Sequence, residues 1–529
     1  MTNIDFMCLG LYFFIVAFIG YKSSRKSLEN TSSYFLGGKN IGWMAVGASL
    51  FASNISAEHF IGLAGTGSAS GLAVGQFEWL ACFILLLLGW VFVPFYMKTG
   101  VFTMPEFLEK RYNTQCRTYL SIISLIAYVF TKVSVAVYAG ALVLTTILHW
   151  NIWVSAIVLI LVTGIYTIVG GLRAVVYTDF FQAFVLIAGA ILLTVIAILK
   201  VGGLGVLTTE LQPEFFNLWK SMSDADFPWT GILFGAPILA VWYWCTDQMI
   251  VQRTLATKNQ DDARKATILA GFLKILPVFI LVLPGLAGRI LYPNVAPDQM
   301  YATMVNELLP VGIKGIVIAA LLAALMSSLS SVFNSSSTLI VMDFYKKYNP
   351  DATEKELVYC GQFATLLLVV SGLLWIPFIG VMSNQLFIYL QSVQAYIAPP
   401  IAAVFLLGIL WKQVNGRGAL ATLLFGFFAG ASRFLAELAV KSGWNTGKLI
   451  KFYAEINFLH FAILLFVSSI IILTFVSLMT FEPKQEEILE TIFKKSTRQR
   501  ISQASVFGSI LLVVIVFVLW LIFSPVFFK

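Results

Sequence analysis

Six ionisable side chains, Glu58, His59, Glu78, Lys132, Asp179 and Lys274, stand inside long apolar runs where a bare charge has no water to solvate it. A charge at the centre of a bilayer costs a few kcal/mol or more, so such groups face a hydrated cavity or one another. Aromatic and amide residues accompany them. "GQFEWLA" (75–81) sets Glu78 among rings, "WYWCTDQ" (242–248) gives three consecutive aromatics before two polar residues, and "FIYLQSVQ" (387–394) supplies Gln391. A polyol needs donors and acceptors for its hydroxyls, which Asn, Gln, His, Glu and Lys provide, and flat apolar faces that stack on Trp or Tyr. Each aromatic taken singly is better explained by ordinary helix packing; the set, with four polar partners in one membrane, favours a binding chamber.

A second chemistry lies in "ALMSSLSSVFNSSS" (324–337), where Ala324 precedes Ser327 by three residues and Ser331 follows by four, so their oxygens share one helical face. Uncharged oxygens and unwound main-chain carbonyls suit Na⁺. The "ASNIS" stretch (52–56) inside an apolar run is the place where carbonyls would be freed. The competing reading is that the serines bond back to their own helix or allow close packing. Asp179, in "VGGLRAVVYTDFFQ" (169–182), can likewise cap a helix or pair with Arg173.

These groups need elements to hold them. The chain has 529 residues, 59% hydrophobic and 11% charged, too little polar surface for a soluble protein of this length. About 20 apolar residues cross a bilayer as helix. On that basis fourteen spans are expected, near 5–22, 41–72, 74–97, 119–147, 151–171, 175–201, 228–251, 266–292, 309–344, 357–380, 385–411, 417–440, 454–480 and 504–527. The runs at 41–72 and 309–344 exceed one straight crossing, so each is broken, tilted or extended into water.

The formal charge of +8 reports topology, with no call for a nucleic-acid partner. Lys22, Arg25, Lys26 and Lys39 follow the first span; Lys98, Lys110, Arg111 and Arg117 the third; Arg253, Lys258, Arg264 and Lys265 the seventh. Lys346, Lys347 and Lys355 follow the ninth, and Lys494, Lys495, Arg498 and Arg500 the thirteenth. The positive-inside rule then puts both termini outside the cytoplasm of a cell membrane. Cys8, Cys82, Cys116, Cys245 and Cys360 have neither disulfide nor metal-ligand spacing. The first helix lacks a cleavage signature and is expected to be retained.

The division expected is an extra helix and loop over 1–40, a core over 41–411, and three further helices over 412–529 with a charged linker near 481–503. Spans two and seven both mix Gly, Ala or Pro into apolar helix before polar residues. Interrupted segments at matching places in two halves point to an inverted repeat with a midplane site, here about 41–201 and 228–411. Enzyme chemistry finds no support, because His59, His149 and His460 are far apart and no nucleophile or phosphate-loop motif is present.

The chain resembles the sodium/glucose cotransporters, within the solute:sodium symporters. The resemblance runs from "YFLGGKN" (34–40) to "PPIAAVFLLGILWK" (399–412) through "FASNISAEHFIGLAGTGSASGLAVGQFEWLA", "VGGLRAVVYTDFFQ", "WYWCTDQMIVQRTL", "AALMSSLSSVFNSSST" and "YLQSVQAYIAPP". It implies an all-α polytopic membrane protein of the LeuT-like five-plus-five inverted-repeat fold with about fourteen transmembrane helices. It also implies that Asn54, His59, Glu78, Tyr243, Trp244, Lys274 and Gln391 contact a monosaccharide; Lys132 joins them where bacterial galactose-transporting members tend to have Asn. Leu63, Phe77 and Phe387 correspond to an outer gate and Tyr243 to an inner one. A first Na⁺ would lie among Ala52, Ile55, Ala324, Ser327 and Ser328, and a second among Asp179, Ser327, Ser330 and Ser331, implying two Na⁺ per sugar.

His59, Lys132 and Ala81 follow the animal glucose-transporting pattern, whereas Ala240 replaces a polar residue of both kinds, which leaves the sugar epimer open. Another polyol such as myo-inositol, or a sugar-gated sensor, are the alternatives; sensor-type relatives carry an acid where this chain has Gln391. Partners implied are the sugar, Na⁺ and lipid, with no obligate protein.

Overall fold

A computed structural model describes residues 1–24, 31–148, 150–379, 386–444, 446–480 and 501–527. Arg25, Lys26, His149 and most of the charged linker expected at 481–503, with Lys494, Lys495, Arg498 and Arg500, lie outside the described residues.

In a hydrocarbon slab every main-chain N–H and C=O must be satisfied within the segment, so the apolar runs fold as helices. In chain order the principal ones are α1 (Asn3–Ser24), α2 (Trp43–Asn54), α3 (Ala57–Ser70), α4 (Gln76–Leu87), α5 (Met104–Arg111), α6 (Thr114–Ala127), α7 (Ser134–Leu148) and α8 (Ile152–Val201). They continue as α9 (Ala236–Val241), α10 (Gln248–Leu255), α11 (Gln260–Leu273), α12 (Ile313–Leu339), α13 (Glu354–Ile379), α14 (Leu386–Leu410), α15 (Gly416–Lys441), α16 (Phe458–Met479) and α17 (Gln503–Ile522). Among the described residues, eleven helices are long and apolar enough to cross a membrane, three fewer than the fourteen expected.

The expected spans at 151–171 and 175–201 are the two helical stretches of α8, which meet at Gly171, where the backbone is not helical. There φ is +56°, and a Cβ would meet Tyr34 at 2.8 Å, so both the backbone and the space call for glycine. The run at 309–344 is not broken. α12 is continuous and passes into a π-helical turn over Ile340–Tyr345.

Two interruptions shape the middle of the bundle. α2 stops at Asn54, Ile55 and Ser56 are extended, and α3 begins at Ala57. α9 loosens into a π-helical segment, Trp242–Thr246, before extended Asp247 caps α10. α10 lies against α2, so the interruptions are neighbours. The most extensive helix pairing joins α8 to α12, and α1 packs on both. Asp5 of α1 fixes that pairing by accepting from the amides of Gly312 (2.8 Å) and Gly315 (3.0 Å) at the start of α12. α14, α15 and α16 pack on one another.

Candidate functional site

The first interruption arises because helix bonding fails over four residues. In a continuous helix the carbonyl of Ala52 would take the amide of Ser56, and that of Ile55 the amide of His59. The Ser56 amide instead reaches His59 Nδ1 at 3.4 Å, and the His59 amide bonds the Ser56 carbonyl at 3.0 Å. The carbonyls of Ala52 and Ile55 therefore lose their helical partners at the two positions expected to face a cation. Ser328 Oγ donates to the Ser53 carbonyl at 3.0 Å, bringing α12 against the break. Ala324 and Ser327 lie one helical turn or less before Ser328, all three buried.

Beside the break is a chamber lined by polar and aromatic side chains. Asn54, His59, Glu78, Lys132, Tyr243, Trp244, Lys274 and Gln391 all line it, from seven different helices or breaks. Lys274, at the end of α11, donates to Glu78 and, at 2.6 Å, to Asn54 Oδ1. Its Nζ also lies 5.7 Å from the Trp244 ring centroid. Lys132 donates to Asp247 Oδ2 at 2.5 Å, while Tyr128 and the Met249 amide hold Asp247 Oδ1 at 2.5 and 2.8 Å. Lys132 Nζ sits 4.5 Å from the Tyr243 ring centroid.

Each buried ammonium is thus matched to a carboxylate, the condition under which burial of charge is tolerated. His59 stands between two acids, its Nε2 3.8 Å from Glu78 Oε1 and its Nδ1 4.0 Å from Glu58 Oε1. Because Nδ1 takes an amide hydrogen, a neutral ring carries its own hydrogen on Nε2, towards Glu78.

Aromatic rings close the chamber. Phe77 and Phe387 meet edge to face with centroids 5.8 Å apart, and Phe387 also meets the His59 ring at 6.1 Å. Gly62 allows this approach, since a Cβ there would lie 2.7 Å from the Phe387 Cβ. Tyr243 and Trp244 are perpendicular, with centroids 5.2 Å apart. Leu63 is buried in α3 but does not line the chamber, unlike the other three expected gate residues.

Asp179 gathers the second set. Its carboxylate accepts from Ser49 (2.6 Å), Ser53 (3.0 Å) and Ser327 (2.6 Å). Ser331 donates to Ser53 Oγ at 3.0 Å, whereas the Ser330 hydroxyl turns back to the Ser327 carbonyl at 3.0 Å. The sequence offered Arg173 as a partner for Asp179, but Arg173 lies over the Tyr177 ring. The partner is Arg253, 3.3 Å away and fully buried. Counting Arg253 as a loop charge was therefore wrong; its setting, "QMIVQRTL", marks it as interior because Ile250, Val251 and Leu255 surround it.

Sequence reasoning also missed Asp247 as the partner of Lys132, although it follows the aromatic triplet directly, and did not assign Glu58 or Gln394 to the lining. Arg433 is held elsewhere: it donates to the Tyr453 and Ile456 carbonyls and lies among the rings of Tyr396, Tyr453 and Phe461.

The profile described as "Sodium:solute symporter family" matches residues 34–426. The rabbit (Oryctolagus cuniculus) "Sodium/glucose cotransporter 1" is 41% identical over 521 residues, covering 90% of this chain and 79% of that protein. The human "Sodium/myo-inositol cotransporter" is 40% identical, covering 93% and 76%. Among solved structures, a Na⁺-coupled sialic acid symporter in a substrate-bound outward-open state superposes with a TM-score of 0.78 at 22% identity, over 92% of this chain and 99% of that one. A closed nucleobase-cation-symport-1 family transporter, Mhp1, gives 0.57 at 15% identity, over 88% and 99%. These two share the fold.

Proposed function

The chain belongs to the sodium:solute symporter family, and from that premise we propose Na⁺-coupled symport of a monosaccharide, glucose or galactose, into the cell. It is a multi-pass membrane transporter with Na⁺ as coupling ion, and it is not an enzyme. One observation carries the substrate class: eight polar or aromatic residues from distant parts of the chain line a single chamber beside an unwound main chain. The reading places the sugar among Asn54, His59, Glu78, Lys132, Tyr243, Trp244, Lys274 and Gln391, with hydroxyls on the polar groups and a ring face on the aromatics. A cyclitol such as myo-inositol offers the same chemistry, and the 40% identity to a myo-inositol cotransporter keeps it as the second reading.

The first Na⁺ bridges the carbonyls of Ala52, Ile55 and Ala324 to the hydroxyls of Ser327 and Ser328. It thereby ties α2 to α12 and organises the wall that sugar needs, so each ligand tightens the other. Phe77 and Phe387 close outward, with Leu63 behind them, and Tyr243 closes inward. A second Na⁺ belongs with Asp179, Ser327, Ser330 and Ser331. Each charge moved through 100 mV is worth about 2.3 kcal/mol, so two ions supply about 4.6 kcal/mol, more than a thousandfold accumulation. Both termini are placed outside the cytoplasm, with residues 41–411 as the transport core.

The test is uptake of labelled glucose, galactose and myo-inositol into vesicles under an inward Na⁺ gradient. Glu78→Ala and Gln391→Ala should each abolish or strongly reduce it; undiminished uptake by both refutes the assignment of the chamber to sugar.

A further inference from the structure

Four protein donors converge on Asp179, and one is a full positive charge. Arg253 Nη2 lies 3.3 Å from Asp179 Oδ2 and also donates to Ser331 Oγ, while Nε donates to Ser49 Oγ at 2.9 Å and Nη1 to the Met249 carbonyl. Asp179 and Ser331 are two of the oxygens assigned to the second Na⁺. A metal cation and a guanidinium draw on the same lone pairs and repel each other, so both cannot sit there with full contacts.

Arg253 also has a particular place in the chain. It sits in α10, less than two turns beyond Asp247, at the helix start that follows Tyr243 and Trp244. Its hold on Asp179 of α8, Ser331 of α12 and Ser49 of α2 pins α10 to two helices of the opposite half and to α12 of its own.

We propose that Arg253 is a tethered cation that occupies the Asp179 site when Na⁺ is absent, and that Na⁺ entering this site displaces its guanidinium and frees α10 together with the Tyr243–Trp244 segment. Resting on the second-ion reading above, this makes Arg253 a positioning residue. It links ion occupancy to the inward-closing segment by competition for one carboxylate, with no contact to the sugar.

Removing a competitor must tighten sodium binding, whereas removing a merely structural arginine weakens or abolishes it. Equilibrium binding of ²²Na⁺ to purified protein without sugar reads the difference directly. Arg253→Gln should lower the half-saturating Na⁺ concentration about fivefold or more, the lower end of ordinary site-to-site coupling. In the Asp179→Asn background Arg253→Gln should change nothing further. A folded Arg253→Gln protein with unchanged or weakened binding overturns the proposal. Where Arg253→Gln does not fold, Arg253→Lys decides, because one ammonium cannot span Asp179 and Ser331 as the guanidinium does: tighter binding is expected, and equal or weaker binding overturns it. If Asp179→Asn alone leaves the isotherm unchanged, the second-ion reading falls and this inference with it. A shifted Asp179→Asn isotherm beside an unshifted Arg253→Gln isotherm sinks the inference alone.

Discussion

Two buried charge clusters use the same residue types for different ends. In the chamber, Lys274–Glu78 and Lys132–Asp247 are pairs of which Lys274, Glu78 and Lys132 line the cavity. Where α5 and α6 meet the end of α12, Arg117 bridges Glu109 and Asp343, and Asp343 also accepts from Thr103 (2.9 Å) and Ser121 (3.1 Å). No resident of that second cluster lines the chamber. Its charges are spent on joining helices, while those of the chamber retain faces for a ligand. Pairing alone therefore does not mark a functional charge; a paired charge beside empty space does.

The contrast can be broken experimentally, beginning with Lys274→Ala. Removing one partner of a buried pair costs about 3–5 kcal/mol and here also removes a proposed sugar contact. Na⁺-driven uptake should fall to background and thermal unfolding should shift down; retained uptake would erase the distinction. Arg117→Ala should cost a similar about 3–5 kcal/mol of stability by leaving Asp343 buried and unpaired, yet in detergent-purified protein that remains folded the sugar affinity should be unchanged. Smaller is the effect of Ser328→Ala: loss of one oxygen ligand worth about 1 kcal/mol should raise the half-maximal Na⁺ for uptake about fivefold with little change in maximal rate.

The smallest effect is on Glu109. Burial pushes its carboxyl upward, but hydrogen bonds from Thr114, Arg117 and Lys347 outweigh this and bring it down to about 2. A depressed folded-state value means the contribution is complete above the ordinary carboxylate range and is lost as pH falls towards 2. The stability gap between wild type and Glu109→Gln should therefore narrow steadily in melts taken from neutral to acid pH. A gap that widens would contradict the pairing.

His59, Glu78, Lys132 and Lys274 were legible because ionisable residues inside apolar runs carry an energetic penalty that sequence displays openly; Asn54, Tyr243, Trp244 and Gln391 were named as contacts through the family resemblance, and all eight line one cavity. The break at "SNIS" was legible for the same reason: Asn54, Glu58 and His59 have no place on a lipid-facing helix. Pairing was not legible. Lys132 meets Asp247 across 115 residues and Arg253 meets Asp179 across 74, separations that only tertiary packing brings to contact distance. Arg253 was misread because a basic residue near a span end satisfies the positive-inside rule whether it faces water or turns inward.

The central claim is that sodium at the α2 break shapes a chamber that binds sugar. Binding of labelled glucose to the purified protein, with Na⁺ replaced by choline at constant ionic strength, tests it most directly. The account predicts at least about a fivefold gain in sugar affinity with Na⁺, abolished by Glu78→Ala. Sugar binding of equal affinity with and without Na⁺ would contradict it.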